Sequence, residues 1–285
     1  MCPLPHRGRG QGDGVEPVST LNGTQARTLS VWQNRVRMRV LTKGSGPALV
    51  FFHGPWGLQW DPFLDALTQH FTVHAPEHPG TSPGAADDIY NLDGLWDLIL
   101  CYEELLEQLS LEGAALVGHS FGAMVACEVA AAYPRRAGRL ALIDPIGLWR
   151  DDAPVTNWMM LNPQDLPGHV FRDPASAAAR VMFAEPKDEE ARVTAQVGLT
   201  WAMGSTGKFI WPIPDKGLKK RIHRVKAPTL LIWGAEDRLV PPVYAEDFMR
   251  QIAGARVETV KDAGHAPHLE QPALVAELVR SFLRA

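Results

Sequence analysis

The sequence predicts an α/β fold: a mostly parallel, eight-stranded sheet with helices on both faces and a mainly helical insertion. Three observations carry this. Short apolar and β-branched runs alternate with longer stretches of helical periodicity, the pattern of a helix-covered parallel sheet. One of those runs, ALVFFHG, is apolar almost throughout, as a central strand buried on both faces must be. The alternation then stops after RLALID and resumes at APTLLIWG, roughly eighty residues later, so the interruption is an insertion into one sheet.

In chain order, RTLSVWQ and VRMRVLTKG alternate with period two and predict an opening antiparallel hairpin. DPFLDALTQH reads as a short helix and FTVHAPEHPG as a strand leaving through a Pro-Gly turn. Asn91 is expected to open a long helix whose apolar face carries Leu95, Leu98, Ile99, Tyr102, Leu105, Leu106 and Leu109. GAALVGHS is the next strand, an Ala-rich helix runs to Tyr133-Pro134, and RLALID is a further strand. After the insertion come APTLLIWG, a helix from Pro241 to Ile252, the strand in ARVETVKDAGH, and the closing helix QPALVAELVRSFLRA. The organisation is therefore a disordered tail over 1–26, core over 27–146, insertion over 147–225 and core again over 226–285.

Composition narrows the function. With 285 residues, 46% of them hydrophobic, the chain can bury a full core. A net charge of −4 gives no basic field for nucleic acid, and KGLKKRIHRVK, the most basic run, reads as solvated surface. Three scattered cysteines argue against a disulfide framework and suit a reducing compartment. The first residues lack the apolar stretch of a secretion signal, and no apolar run reaches the roughly 18–20 residues of a membrane helix. A soluble, cytoplasmic monomer or homodimer acting on a small molecule is expected.

The chemistry centres on GHSFG. A strand, then Gly-x-Ser-x-Gly, then a helix is the geometry of a nucleophile elbow. The turn would lift the Ser120 hydroxyl to the carboxyl edge of the sheet, at a helix N-terminus whose free N–H groups favour developing negative charge. A serine nucleophile needs a base, and the base an orienting acid. His265 in KDAGHAPH follows the last predicted strand, and Asp237 in WGAEDRLVPP follows the one before it. Asp144, ending RLALID, is the rival acid on the same edge, and its blander reading is an Asp-Pro cap.

These residues resemble the α/β-hydrolase superfamily over almost everything from about Thr28 onward, with FFHGPWG, HPGTS and GHAPHLEQP as further landmarks. The resemblance implies a capped, esterase-like serine hydrolase. Its insertion is then the cap, and the Trp- and Met-rich composition there would suit an apolar acyl pocket. It also implies an oxyanion hole from the N–H of Phe121 and one after His53-Gly54. That second position is Pro55, which has no N–H, so Trp56 is the expected donor. His53, His119, Trp60, Trp149 and Trp158 are candidate pocket residues. His268 follows His265 by three, but no cluster of metal-ligand spacing accompanies it, so neither metal nor other cofactor is expected.

Three functions are then in play. The first is carboxylic ester hydrolysis through an acyl-enzyme. The second is carbon–carbon hydrolysis of ring-cleavage products, or lactone hydrolysis, for which the insertion shows no identifiable acid-binding arginine and Arg150 and Arg172 are candidates by location alone. The third is a low-turnover binding protein on a hydrolase fold, which Pro55 keeps open.

Overall fold

A computed structural model describes residues 19–21, 23–183 and 186–285. Its sheet contains β1 (Ser19–Leu21), β2 (Thr24–Val31), β3 (Val36–Lys43), β4 (Ala48–Phe52), β5 (Thr72–Pro76), β6 (Ala114–His119), β7 (Ala137–Ile143), β8 (Thr229–Gly234) and β9 (Arg256–Val260). The strand order is β1-β2-β3-β5-β4-β6-β7-β8-β9. Strands β4 to β9 pair in parallel, and β1, β2 and β3 extend the sheet as antiparallel neighbours.

Before the insertion run α1 (Pro62–Thr68), α2 (Leu95–Gln108) and α3 (Phe121–Ala132). Within it lie α4 (Leu166–Val170), α5 (Ala177–Met182), α6 (Glu189–Ile210) and α7 (Leu218–Arg221). After it come α8 (Tyr244–Gln251), α9 (Pro267–Glu270) and α10 (Pro272–Arg284).

Strand residues alternate between two cores, which is why the central runs read as continuously apolar. In β4, Val50 and Phe52 face the cluster that contains α2 and α3, while Leu49 and Phe51 face α1 and α10. The same split separates Leu140 and Leu142 from Ala141 and Ile143 in β7, and Leu231 and Trp233 from Leu230 and Ile232 in β8. Each fully buried Leu, Ile or Phe contributes about 1.5–3 kcal/mol over its exposed state.

The eight expected strands are present as β2 to β9, and β1 is a ninth. Residues 19–21 and 24–26 were expected in the tail, but they pair as Ser19↔Ala26 and Leu21↔Thr24. Three strand residues among Pro and Gly are too short for a period-two signal to register. Residues 1–18 and 22, and the tail expectation for them, lie outside the described residues. The long helix opens at Leu95, not Asn91: residues 86–91 wind as a 3₁₀ turn. The Asp97 carboxylate accepts from the N–H groups of Asp93 and Gly94, at 2.7 and 3.3 Å, and so fixes the start.

The basic run that ends the insertion is structural, not merely solvated. Leu218, Ile222 and Val225 are buried in the core, and Arg221 forms a two-pronged pair with Glu128 of α3 at 2.6 and 2.8 Å. The Glu128 side chain is 1% exposed and that of Arg221 33%. Arg221→Ala would strand a buried carboxylate. The expected loss is about 2–3 kcal/mol, below the 3–5 of a fully buried pair because water reaches the guanidinium. Urea unfolding of the two proteins checks it, and a loss under about 0.5 kcal/mol would show that Glu128 finds another partner.

Candidate active site

Ser120 lies between β6 and α3 with φ 54° and ψ −116°, a backbone conformation that side-chain-bearing residues rarely adopt. Its neighbours explain why it is tolerated. A methyl group on Gly122 would sit 2.1 Å from Phe52 O and 2.3 Å from His53 O, and one on Gly118 2.6 Å from Gly122 O. The helix can therefore begin hard against the end of β4. The Ser120 N–H is tied to Ile143 O at 2.9 Å, which locks the turn to β7.

His265, in the loop between β9 and α9, reaches Ser120 from across the sheet edge. Its Nε2 is 2.8 Å from Ser120 Oγ, and its Nδ1 is 2.8 Å from Asp237 Oδ2. With Nδ1–H donating to the carboxylate, Nε2 is left to accept the serine proton. Asp237, in the loop after β8, is held by its other oxygen, which accepts the N–H groups of Leu239 and Val240 at 2.8 and 2.9 Å. The two loops are joined directly. A methyl group on Gly234 would lie 1.8 Å from Gly264 O. Ala235 and Glu236 donate their N–H groups to Val260 O and Ala263 O, both at 2.9 Å. Glu270 accepts the Gly264 N–H at 2.7 Å, so it braces the histidine loop as well as ending α9.

Asp144 reaches the same edge but takes a different partner. Its Oδ1 accepts the Gly234 N–H at 2.9 Å, and Asp237, not Asp144, is bonded to His265. Single ligand atoms of Asp144, Asp237 and His265 all fall within 4.8 Å of one another, and both nitrogens of His265 are already engaged.

The pocket candidates divide. His119 Nε2 donates to His265 O at 2.7 Å and so fixes the histidine loop. His53 accepts the His78 N–H on Nε2 at 3.0 Å and donates from Nδ1 to Gly54 O at 2.7 Å, while His78 in turn bonds His53 O and the Tyr102 hydroxyl. Burial lowers His53 to about 4. It also drives His78 and His119 well below the ordinary imidazole range, with neighbouring histidines adding to the effect. These rings are neutral scaffolding. Trp158 is buried edge-on to Trp56, with ring centres 5.9 Å apart.

Trp60 and Trp149, also pocket candidates, each tie the indole N–H to a nearby carboxylate, and Trp149 lines a small cavity with Trp158. The Trp60 indole N–H donates to Asp65 of α1 at 2.9 Å beneath the Lys43 ammonium. The Trp149 N–H goes to Asp151 at 2.8 Å. Aromatic composition marks an apolar segment without saying which face a given ring takes. Sequence reasoning also missed Asp61 and Tyr102. Asp61 N-caps α1 and lines a cavity of about 30 Å³ with His53, Trp56, His119 and His268, and burial raises its carboxyl to about 7. The signal available was Asp-Pro before a helical run, which marks a cap and nothing more.

Ser120 and His265 are fully enclosed. A cavity of about 530 Å³ instead opens along α6 between Val193, Val197, Trp201 and Tyr90, and no member of the Ser120 constellation lines it. Further along α6, Phe209 stacks over Phe121 with ring centres 6.3 Å apart. Among the described residues, no helix is long and apolar enough to cross a membrane.

The profile of the alpha/beta hydrolase family matches residues 49–278. A pimeloyl-[acyl-carrier protein] methyl ester esterase of Aromatoleum aromaticum is 28% identical over 84% of this chain and 98% of its own. A 2-hydroxy-6-oxo-6-phenylhexa-2,4-dienoate hydrolase of Comamonas testosteroni is 26% identical over 85% and 89%. Among solved structures, a membrane phospholipase A superposes with a TM-score of 0.73 at 22% identity, over 92% of this chain and 86% of that one.

Proposed function

Because the chain belongs to the alpha/beta hydrolase family, we propose that it is a serine hydrolase of carboxylic esters working through an acyl-enzyme. The carrying observation is the continuous relay from Asp237 through His265 to Ser120, with both hydrogen bonds at 2.8 Å. In this reading His265 removes the Ser120 proton as the oxygen attacks the ester carbonyl, then delivers it to the leaving alcohol. Water repeats the cycle on the acyl-enzyme, and Asp237 holds the imidazole and stabilises its charged form. Phe121, at the first position of α3, has an N–H with no intrahelical acceptor and is one oxyanion donor. Trp56 supplies the other in place of Pro55. Residues 147–225 act as the cap. Since Ser120 and His265 have no exposed surface, substrate entry requires this segment to shift. The sparse cysteines, with Cys101 and Cys127 buried and free, suit a cytoplasmic enzyme acting on a small molecule without a cofactor.

Ester hydrolysis is preferred to carbon–carbon hydrolysis for a specific reason. The two arginines that location alone offers to the acid group of a ring-cleavage product are already paired with carboxylates. Arg150 pairs with Asp152 and Asp247, and Arg172 with Glu236 and Asp262.

The test is a substrate panel: p-nitrophenyl acetate, butyrate and octanoate against 2-hydroxy-6-oxo-6-phenylhexa-2,4-dienoate, with peptide mapping after fluorophosphonate treatment. Turnover of at least one ester, a kcat/KM for the dienoate at least tenfold lower, and a single adduct on Ser120 are expected. Preferred cleavage of the dienoate would transfer the assignment to carbon–carbon hydrolysis. A labelled serine with no turnover of either class would point to a binding protein.

A further inference from the structure

The site holds one carboxyl more than the relay uses. Asp144 follows β7 directly with φ 43°, is fully buried, and accepts one hydrogen bond on Oδ1. Its Oδ2 is buried with no hydrogen-bond partner, a costly arrangement for an ionised oxygen. Asp237, beside it, has the opposite surroundings: two backbone N–H groups on one oxygen and the His265 ring on the other. Two carboxylates this close in a dry site cannot both stay ionised. The donors decide which one keeps the charge. Asp237 has three, and Asp144 has one plus an oxygen with none. A proton on Asp144 resolves both problems, because its O–H then points at the Asp237 carboxylate and the orphaned oxygen becomes a donor.

We propose that Asp144 is a positioning residue, a carboxyl kept protonated through the neutral range that donates a hydrogen bond to Asp237 and limits how tightly Asp237 holds the charged form of His265. The effect on rate rests on the hydrolase reading above, whereas the proton on Asp144 does not. Burial first, and then the Asp237 charge, push Asp144 well above the carboxylate range, and Glu270 adds in the same direction. The titratable groups facing it are Asp237, His265 and Glu270. A bond shared with a neutral donor makes Asp237 a weaker base, so His265 releases its proton more readily to the leaving group.

Two variants and a spectrum test this. Asp144→Asn keeps a donor toward Asp237 and an acceptor for Gly234. Its kcat/KM on p-nitrophenyl butyrate is expected within about threefold of wild type, with the acidic limb of the pH profile unmoved. Asp144→Leu removes the donor, and the acidic limb is expected to rise by about half to one pH unit, the worth of one hydrogen bond. If Asp144 were ionised, Asp144→Asn would instead delete a negative charge and lower that limb by about a unit, which overturns the proposal. A limb unmoved in both variants overturns it too. In infrared spectra near pH 7 the wild-type-minus-Asp144→Asn difference should show a protonated-carboxyl C=O band, separate from that of Asp61, which both proteins keep, and a difference spectrum without it refutes the assignment even if the leucine variant fails to fold. Loss of activity in Ser120→Ala tests the hydrolase reading separately, and a wild type silent toward esters leaves the infrared test intact.

Discussion

Replacing Ser120 or His265 with alanine is expected to lower kcat for the best p-nitrophenyl ester by a factor on the order of 10⁵–10⁶, and Asp237→Asn by about 10⁴. The ranking follows from what each group does in the relay. Without Ser120 there is no acyl-enzyme, and without His265 the attacking oxygen keeps its proton. Asn at 237 would preserve the shape and the bonds to Leu239 and Val240. It would lose the negative charge that fixes the ring with Nδ1 protonated. These losses do not add, because three residues in series fail together: Ser120→Ala/His265→Ala should be no slower than either single variant within about threefold. Steady-state rates above the spontaneous background, with folding verified by near-ultraviolet circular dichroism, make the measurement. A double variant slower by the product of the single effects would mean that Ser120 and His265 act independently and that the relay is not the engine.

The second large effect concerns acid. His53 is lowered to about 4 and His268 to about 3 by burial, and His74, His78 and His119 are lowered in the same direction. An imidazole depressed in the folded state gives stability that is present above its unfolded value, near 6.5, and is lost as pH falls toward the folded one. Raised carboxyls work the other way. Asp61, Asp144, Glu77 and Glu270 favour the folded state below their unfolded values and cease to as pH rises. Across pH 6.5 to 5 the unfolded chain therefore goes from about half to nearly full protonation of these five imidazoles, while the folded chain already holds some of those four carboxyl protons. The net difference is on the order of two protons, or about 3 kcal/mol lost per pH unit. Against a typical total of roughly 5–15 kcal/mol, the about 4–5 kcal/mol lost between pH 6.5 and 5 is a large share, and the urea midpoint should fall steeply over that window.

His268→Phe isolates one contributor. The ring packs on Phe51, Phe63 and His119, and its Nδ1 has no hydrogen-bond partner, so Phe fits the site chemically. The slope of stability against pH should flatten by about 1.4 kcal/mol per unit. Urea midpoints at pH 6.5, 6.0, 5.5 and 5.0 provide the comparison, and identical slopes for the two proteins would refute the account.

What could be read from the sequence depended on whether a local pattern has one physical solution. Gly118-x-Ser120-x-Gly122 between a strand and a helix does, because any side chain at the flanking positions would collide with Gly122 O or with the end of β4. The positions of Asp237 and His265 followed from the strands before them, and the geometry brings both to Ser120. Choosing Asp237 over Asp144 was a choice between two strand ends on one edge, which chain order favours but no single residue dictates. The acceptors of the Trp60 and Trp149 indoles, Asp65 and Asp151, could not be read from the sequence, because an indole N–H takes whatever acceptor lies near. The start of α2 was misread because the apolar face continues backward through Leu92, while the helix is set by the Asp97 cap.

The backbone contact between Gly234 and Gly264 changes how many parts the site is made of. Acid and base ride on one welded piece, with Gly264 O where a Gly234 side chain would begin, and the serine rides on another. Only one joint remains to be aligned, and the His119 N–H to His265 O bond spans it. Chimeras with relatives should follow this division. Exchanging residues 234–265 as a block transplants a matched acid–base pair, whereas a crossover inside the block joins two halves cut for different partners.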